Sequence, residues 1–493
     1  MAFRELQVIS ATTLPKKLNV VQSAIHSRDL RPPVFYFIYI CYTMRHLSFR
    51  VRLKLLFAIV WKRLVMFSRL LSRLLPYWLA GLAFLLILSG CGFLGTNSKP
   101  TIITVPAQPT HSSTGAGIRH FIDSWDNIHL LLSFDYKISD PAPVAQHYDF
   151  VWGAEADHVS AYRSANPAIF LTYYLPFHRD KGTFSDEKAY HDLTYWKTVQ
   201  PDWVLYKCDR ITPAYEFGDP NMPLDFANPA LVSWQIQTYA QLASESGYDG
   251  IAADNMNLQN LFGACGVYKN GQWVQRYTGQ YDDPQWSADV ITWLTRMQQA
   301  LHRLRHPLAL IPNLGIDDLS PSDPLMQQVL SHIDGMEDEE GFTRYGEGYL
   351  TGGAWLQRIQ LIESVQEQHK PYYIINQFPS VDHAEIQWAL ASYLMGKGHS
   401  AALFISTSQG YGVDLRYDEY NSQIGSPKGP VYQTQNVYMR DYSHGLSIVN
   451  PSAADSYTVT LKADSHYRDV SGNPVGQTIT MPPHSGMVLL TSF

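Results

Sequence analysis

The sequence predicts an α/β fold, a (β/α)8 TIM barrel followed by a small C-terminal all-β sandwich, and three observations carry that reading. Short apolar runs alternate with amphipathic helical stretches through the middle of the chain. Polar residues, several of them acids, stand at the C-terminal ends of those runs, where a barrel gathers its functional groups. Beyond about Tyr432 the helical period gives way to strand-like alternation punctuated by turns.

The apolar runs are Leu130 to Phe134, Phe150 to Gly153, Ile169 to Tyr174, Trp203 to Tyr206, Gly250 to Ala253, Leu308 to Pro312, Ile333 to Met336, Tyr372 to Asn376 and Ala401 to Ile405. They outnumber the places in an eight-stranded barrel by one, so one of the first four is an extra hairpin or edge element. Helical spacing marks Pro229 to Ser246, Gln285 to Arg305, Ala354 to His369 and Asp382 to Gly396 as helices lying on a sheet. An open doubly wound sheet would carry a glycine-rich phosphate loop after its first strand, and none is present. The barrel is expected over 118–431 and the sandwich over 432–493, where Gly472-Asn473-Pro474 and Pro482-Pro483-His484-Ser485-Gly486 supply turns.

The N-terminal part has a different texture. It is rich in Arg, Lys and apolar residues, with no acid between Asp29 and Asp123. From Met66, the basic residues Arg69 and Arg73 precede an apolar run from Trp78 to Leu88 and then Leu88-Ser89-Gly90-Cys91. That order is the pattern of a secretory signal over 66–91. Its last four residues resemble the box of bacterial lipoproteins, which implies cleavage before Cys91 and lipidation of its thiol. The run falls short of the ~20 apolar residues of a spanning helix, the competing reading. Residues 1–65 precede a complete signal and are expected to be a non-native or disordered extension. Residues 92–117, rich in Ser, Thr, Pro and Gly, read as a flexible tether. The expected location is therefore outside the cytoplasm, lipid-anchored at a bacterial cell surface or envelope.

A formal charge of -7 and the lack of a basic patch in the second half argue against nucleic acid as a partner. Cys208 and Cys265 are candidates for pairing in an exported protein, but they are too few for a zinc site, and no metal or other cofactor is expected.

Two runs end in acids. Gly247 to Met256 reads Gly-Tyr-Asp-Gly-Ile-Ala-Ala-Asp-Asn-Met and presents Asp254, while His332 to Phe342 carries Glu337, Asp338, Glu339 and Glu340. Buried acids cost stability unless paired or used, so a facing pair is expected, and glycosidic hydrolysis is the chemistry that asks for two carboxyl groups. Strand alternation puts Glu337 and Glu339 on one face and Asp338 and Glu340 on the other. Either segment alone could cap a helix or hold a structural cation. Around the expected mouth, Asp135, Tyr173, Lys207, Asn255, Asn313 and Asn376 stand at strand ends as candidates for holding sugar hydroxyls, with a loop hydrogen bond as the alternative for each and a structural role favoured over a catalytic one for Asp135 and Asn313, and Tyr173 and Trp203 are candidate stacking surfaces. Asp225 is a candidate for holding the sugar or orienting Asp254, or else belongs to the start of the helix at Asn228-Pro229.

The phrases Phe150-Val151-Trp152-Gly153, Tyr173-Tyr174-Leu175-Pro176-Phe177, Leu224-Asp225-Phe226-Ala227-Asn228-Pro229, the Asp254 run, Asp334 to Phe342 and Tyr438-Met439-Arg440-Asp441-Tyr442 resemble hypothetical glycosyl hydrolase family 15, a group distinct from the glucoamylases. The likeness runs from about Gly117 to Phe493. More distantly the chain is similar to barrel hydrolases of the polygalactosaminidase type. The resemblance implies a retaining or inverting glycosidase and places Glu339 at the Glu of an Asp-Gly-x-x-Asp-Glu-x-Gly-Phe phrase. Glu339 is thus the first choice for general acid, Glu337 the second, and Asp254 the nucleophile or base. The expectation is a surface-tethered glycoside hydrolase acting on an extracellular or envelope polysaccharide. The alternatives are a non-catalytic carbohydrate-binding lipoprotein and a two-lobed solute-binding lipoprotein, the latter disfavoured by the continuous run of repeats.

Overall fold

The computed structural model describes residues 128–491 apart from 183, 185–189, 219–220 and 316–318, together with 117–119 and 125. All lie in the compact unit that spans 111–493. Residues 1–65, the signal-like segment with Cys91, and all of the tether but Gly117 lie outside the described residues.

Strands β1 (His129–Ser133), β2 (Phe150–Trp152), β3 (Phe170–Pro176), β4 (Tyr206–Lys207), β5 (Gly250–Asn257), β6 (Ala264–Lys269), β7 (Gln272–Gln275), β8 (Ala309–Gly315), β9 (Met336–Asp338), β10 (Tyr372–Phe378) and β11 (Ala401–Thr407) make up the first part. Eight of them close a parallel barrel in the order β1-β2-β3-β5-β8-β9-β10-β11. The expected (β/α)8 barrel is present. Its strands are apolar on both faces because one face meets the barrel interior and the other the helices, as a parallel sheet requires. Inside, the ring of Phe150 stacks on that of Tyr373 with centroids 3.7 Å apart.

The surplus run is Trp203 to Tyr206. It enters β4, which pairs with β6, and β6 with β7, in a separate three-stranded antiparallel sheet. Trp203 packs there against Trp196 and Trp234 in an aromatic cluster of its own, which is why the run reads as a core strand without being one. A disulfide joins Cys208 to Cys265 across this sheet.

Several helices begin with the same device. Asp140, Asn228, Asp283 and Asp323 each cap a helix by accepting a backbone N–H, and each is followed by proline at the first helical position. These dipeptides fix where the chain leaves the loop above one strand and starts back toward the next.

The last part holds β12 (Tyr432–Thr434), β13 (Val437–Tyr442), β14 (Gly445–Asn450), β15 (Tyr457–Thr460), β16 (Tyr467–Asp469), β17 (Thr478–Met481) and β18 (Ser485–Thr491). They form an antiparallel sheet in the order β12-β13-β14-β18-β16 and a second sheet of β15 and β17, around a small core that includes Val437, Ile448, Val459 and Leu489. The larger sheet lies on the helix His383–Gly396, whose residues from Ile386 to Gly396 are all buried. The Ser447 hydroxyl donates to the Ala391 carbonyl at 3.0 Å, and the Val488 N–H donates to the Gln387 side chain at 2.9 Å. The Arg440 guanidinium closes the helix end by donating to the carbonyls of Leu394, Met395 and Lys397. This helix is apolar all round because it is covered on both sides.

Candidate active site

The ends of β5, β8 and β9 converge on one cavity of about 570 Å³, lined among others by Trp152, Asp254, Asn255, Asn313, Glu337 and Glu339. Its construction starts with an irregularity in β5. Against β8, Ala253 pairs with Pro312 and Met256 with Leu314, so β5 carries one residue more than its partner between those points. That bulge contains Asp254 and Asn255, and Asn255 takes up the left-handed backbone at φ 58°. The Asn255 backbone N–H can then donate to Asp254 Oδ1 at 2.8 Å while its side-chain amide donates to Oδ2 at 2.7 Å.

Two further donors reach Asp254. The Tyr174 hydroxyl donates to Oδ2 at 2.8 Å and the Asn313 amide donates to Oδ1 at 3.0 Å, while the Arg179 guanidinium stands 3.7 Å from Oδ2.

Across the cavity, the same Asn313 nitrogen donates to Glu339 Oε2 at 2.8 Å, and the Tyr411 hydroxyl donates to Oε1. Tyr411 is held in turn by the Gln377 amide at 2.7 Å. Burial, with the charge of Asp254 beside it, raises the pKa of Glu339 against the pull of the Tyr411 and Asn313 hydrogen bonds. Glu337 is buried deeper, at 1% exposure. Burial first, then the charges of Glu339 and Asp254, push its carboxyl well above the ordinary range.

The other face of β9 is structural, as strand alternation anticipates. Asp338 and Glu340 both pair with the buried Arg358 of the helix Gly352–Glu367. Gly341, at φ 55°, ends the turn there. A Cβ on it would stand 1.9 Å from the Ile375 carbonyl oxygen, so only glycine lets the acidic segment lie against β10.

Of the residues singled out in the sequence, Asp254, Asn255, Asn313, Glu337 and Glu339 meet at this cavity. The rest stand elsewhere. Tyr173 is fully buried among Phe184, Tyr239 and Tyr248 on the helix side of β3, and its neighbour Tyr174 faces Asp254 instead. Trp203 belongs to the aromatic cluster beneath β4, and Lys207 is exposed on that strand. Asp225 is buried in an ion pair with Arg276 at 2.9 Å, and burial pushes its carboxyl up to about 6. Asp135 accepts from the Glu155 N–H and binds His158, which fixes the loop after β1. The Asn376 side chain accepts from the Phe342 N–H, holding the turn after β9, and does not line the cavity. Sequence reasoning missed Tyr174, Arg179, Glu216, Phe217 and Tyr411. Tyr174 lay inside a quoted phrase, one position from the residue chosen. No group of three or more potential metal ligands is clustered among the described residues.

No curated protein matches this chain. Solved structures similar to it include the cycloalternan-degrading enzyme from Trueperella pyogenes, at 10% identity and a TM-score of 0.38 over 74% of this chain and 62% of that one. This chain thus spans less than two thirds of that enzyme. An α-amylase from Malbranchea cinnamomea matches at 10% identity and a TM-score of 0.36, over 74% of this chain and 84% of that one. The cyclic α-maltosyl-(1→6)-maltose hydrolase from Arthrobacter globiformis matches at 12% identity and a TM-score of 0.38, over 76% of this chain and 94% of that one. The family whose sequence model matches is described as hypothetical glycosyl hydrolase family 15, and the match covers residues 163–446. That is more than half of the chain, it takes in Asp254, Asn313, Glu337 and Glu339, and this protein belongs to that family.

Proposed function

We propose that this protein is a glycoside hydrolase that cleaves O-glycosidic bonds of an oligosaccharide or polysaccharide with net retention, using Asp254 as nucleophile and Glu339 as general acid and base. The observation that carries the reading is the single Asn313 amide nitrogen that donates to both carboxyl groups, at 3.0 and 2.8 Å. The two hydrogens of an amide diverge by about 120°, so oxygens placed on one each stand roughly 5 Å apart, in the ~5–5.5 Å range of retaining enzymes. The ~6.5–9.5 Å gap that an inverting enzyme leaves for water is not reached by these two oxygens.

In the first step an Asp254 oxygen attacks the anomeric carbon as the bond to the leaving oxygen breaks, and Glu339 gives that oxygen its proton. In the second, Glu339 takes a proton from water, the hydroxide attacks the anomeric carbon, and the ester to Asp254 breaks. The donors around Asp254 hold the nucleophile's oxygens in place, and burial raises the Glu339 pKa in the direction that the acid of the first step needs. Burial and the neighbouring charges shift Glu337 toward its neutral form, which lessens its opposition to the deprotonation of Glu339. The signal-like order of residues 66–91 supports a cell-envelope location reached through lipid on Cys91.

The test is a panel of 4-nitrophenyl α- and β-glycosides and soluble polysaccharides, with the anomer of the first product resolved by NMR. Turnover with retention, lost in Asp254→Asn and Glu339→Gln while binding persists, is expected. Inversion would refute the assigned pair, and no turnover on any member would refute hydrolysis.

A further inference from the structure

Phe217 is the most exposed of the large side chains that line this cavity. It is 71% exposed, it lines the same cavity as Asp254, and it sits in the left-handed region at φ 53°. An exposed phenylalanine forgoes the stabilisation of burial, and a left-handed non-glycine residue carries strain. Both are sustained by what flanks it. Glu216, fully buried, meets Arg179 Nε through Oε2 at 2.7 Å, and the Asn221 side chain accepts from Arg179 Nη1 at 3.2 Å. The backbone closes behind them, since the Glu216 N–H donates to the Asn221 carbonyl and the Leu224 N–H donates to the His178 carbonyl at 2.7 Å. The free end of the guanidinium points into the site, where Nη2 donates to the Tyr174 hydroxyl at 2.9 Å and stands 3.7 Å from Asp254. One arginine therefore touches residues on both sides of Phe217 and the group that holds Asp254.

We propose that Phe217 is the surface on which the apolar face of a pyranose ring stacks beside the scissile bond, and that Arg179, gripped by Glu216 and Asn221, is the positioning residue that fixes this surface relative to Asp254. The proposal deepens the glycosidase reading and rests on it. The ligand chemistry follows from the ring, because a flat apolar face at the rim of a cavity walled by carboxyl and amide groups fits a molecule with hydroxyls on its edge and C–H bonds on its face. The Phe217 ring is itself steadied by an edge contact with Phe262, centroids 5.4 Å apart. Burial pushes the Glu216 carboxyl up to about 8 against the pull of Arg179.

The test uses the full chain and the 4-nitrophenyl glycoside turned over fastest in the panel above. Phe217→Ala is expected to raise KM roughly tenfold with kcat within about threefold of wild type, and Phe217→Tyr to restore KM. Glu216→Gln is expected to raise KM and lower kcat together, because it loosens both Phe217 and Asp254. Amide hydrogen exchange in peptides around Phe217 should quicken in that variant. Should Glu216→Gln not fold, Asn221→Ala removes one uncharged acceptor of the same grip and is expected to show a smaller change in the same direction. A KM unmoved in Phe217→Ala, or not restored by Tyr, overturns the stacking role. Wild-type kcat and KM in the Glu216 or Asn221 variant overturn the positioning role. A wild type inactive on every glycoside refutes the hydrolase reading and this inference with it, whereas an active wild type with unmoved KM refutes the inference alone.

Discussion

Asn313→Ala is the perturbation that bears most directly on the proposed chemistry, because it leaves both carboxylates in place and removes only what lies between them. The β8 backbone is kept, and the side chain lost donates one bond of 3.0 Å to Asp254 and one of 2.8 Å to Glu339. A hydrogen bond to a charged acceptor contributes ~1.5–3 kcal/mol. If one such bond is realised more strongly in the transition state than in the free enzyme, kcat/KM falls roughly ten- to a hundredfold. The bond to Glu339 also stabilises its charged form and so opposes the upward shift that burial and Asp254 impose. Without it the Glu339 pKa rises further. Since the general acid must be protonated, the alkaline limb of the kcat/KM profile then moves to higher pH. The assay is kcat/KM against pH on the best glycoside of the panel. An alkaline limb that stays in place, or a loss confined to KM, would refute the assignment of Glu339 as the acid held by Asn313.

Glu337→Gln tests the buried neutral carboxyl. Its folded-state pKa lies above the ordinary glutamate value of 4.5, so the native state holds a proton that the unfolded chain gives up. Wild-type stability from this site is complete below pH 4.5 and declines as pH rises toward the folded value. The variant, which cannot ionise, should gain Tm relative to wild type as pH rises above 4.5, and a difference independent of pH would count against it. Arg358→Met strands Asp338 and Glu340 without their partner and is expected to destabilise the fold by ~3–5 kcal/mol in urea unfolding, with a change under ~1 kcal/mol speaking against the pair. Cys91→Ser should abolish incorporation of labelled fatty acid and release or stall the precursor, and unchanged labelling would remove the lipid anchor from the proposal.

The barrel was legible because each strand is a separate apolar run and most are followed by a helix with its own start signal. The pair of acids was legible too, since a carboxylate directly after Ile-Ala-Ala or within Glu-Asp-Glu-Glu is conspicuous against an apolar strand. What was not legible has physical causes. Trp203 to Tyr206 is apolar for the sake of an aromatic cluster, and hydrophobicity does not reveal which sheet a strand joins. The choice between Tyr173 and Tyr174 failed because β3 is apolar on both faces, so alternation leaves no trace of which residue points at the mouth. Arg179, Glu216 and Phe217 lie on connections, where no period exists and position is set by partners distant in sequence. Asn376 reads as functional because it is polar near a strand end, and Asp225 reads either as part of the site or as the helix start, but a loop hydrogen bond or an ion pair uses the same residue types.

The helix His383–Gly396 has a consequence for how the chain comes to be folded. One side of it meets the barrel and the other meets β14 and β18, with Gln387 and Val488 in contact across 101 positions of sequence. Synthesis at ~5–20 residues per second leaves that side uncovered for roughly 5 to 20 seconds after the helix has been made. During that interval a continuous apolar surface is open to other chains, and the barrel is complete in sequence but not in burial. Chains interrupted before β18 would keep that surface permanently, and their fate is aggregation or proteolysis whatever the state of their catalytic residues.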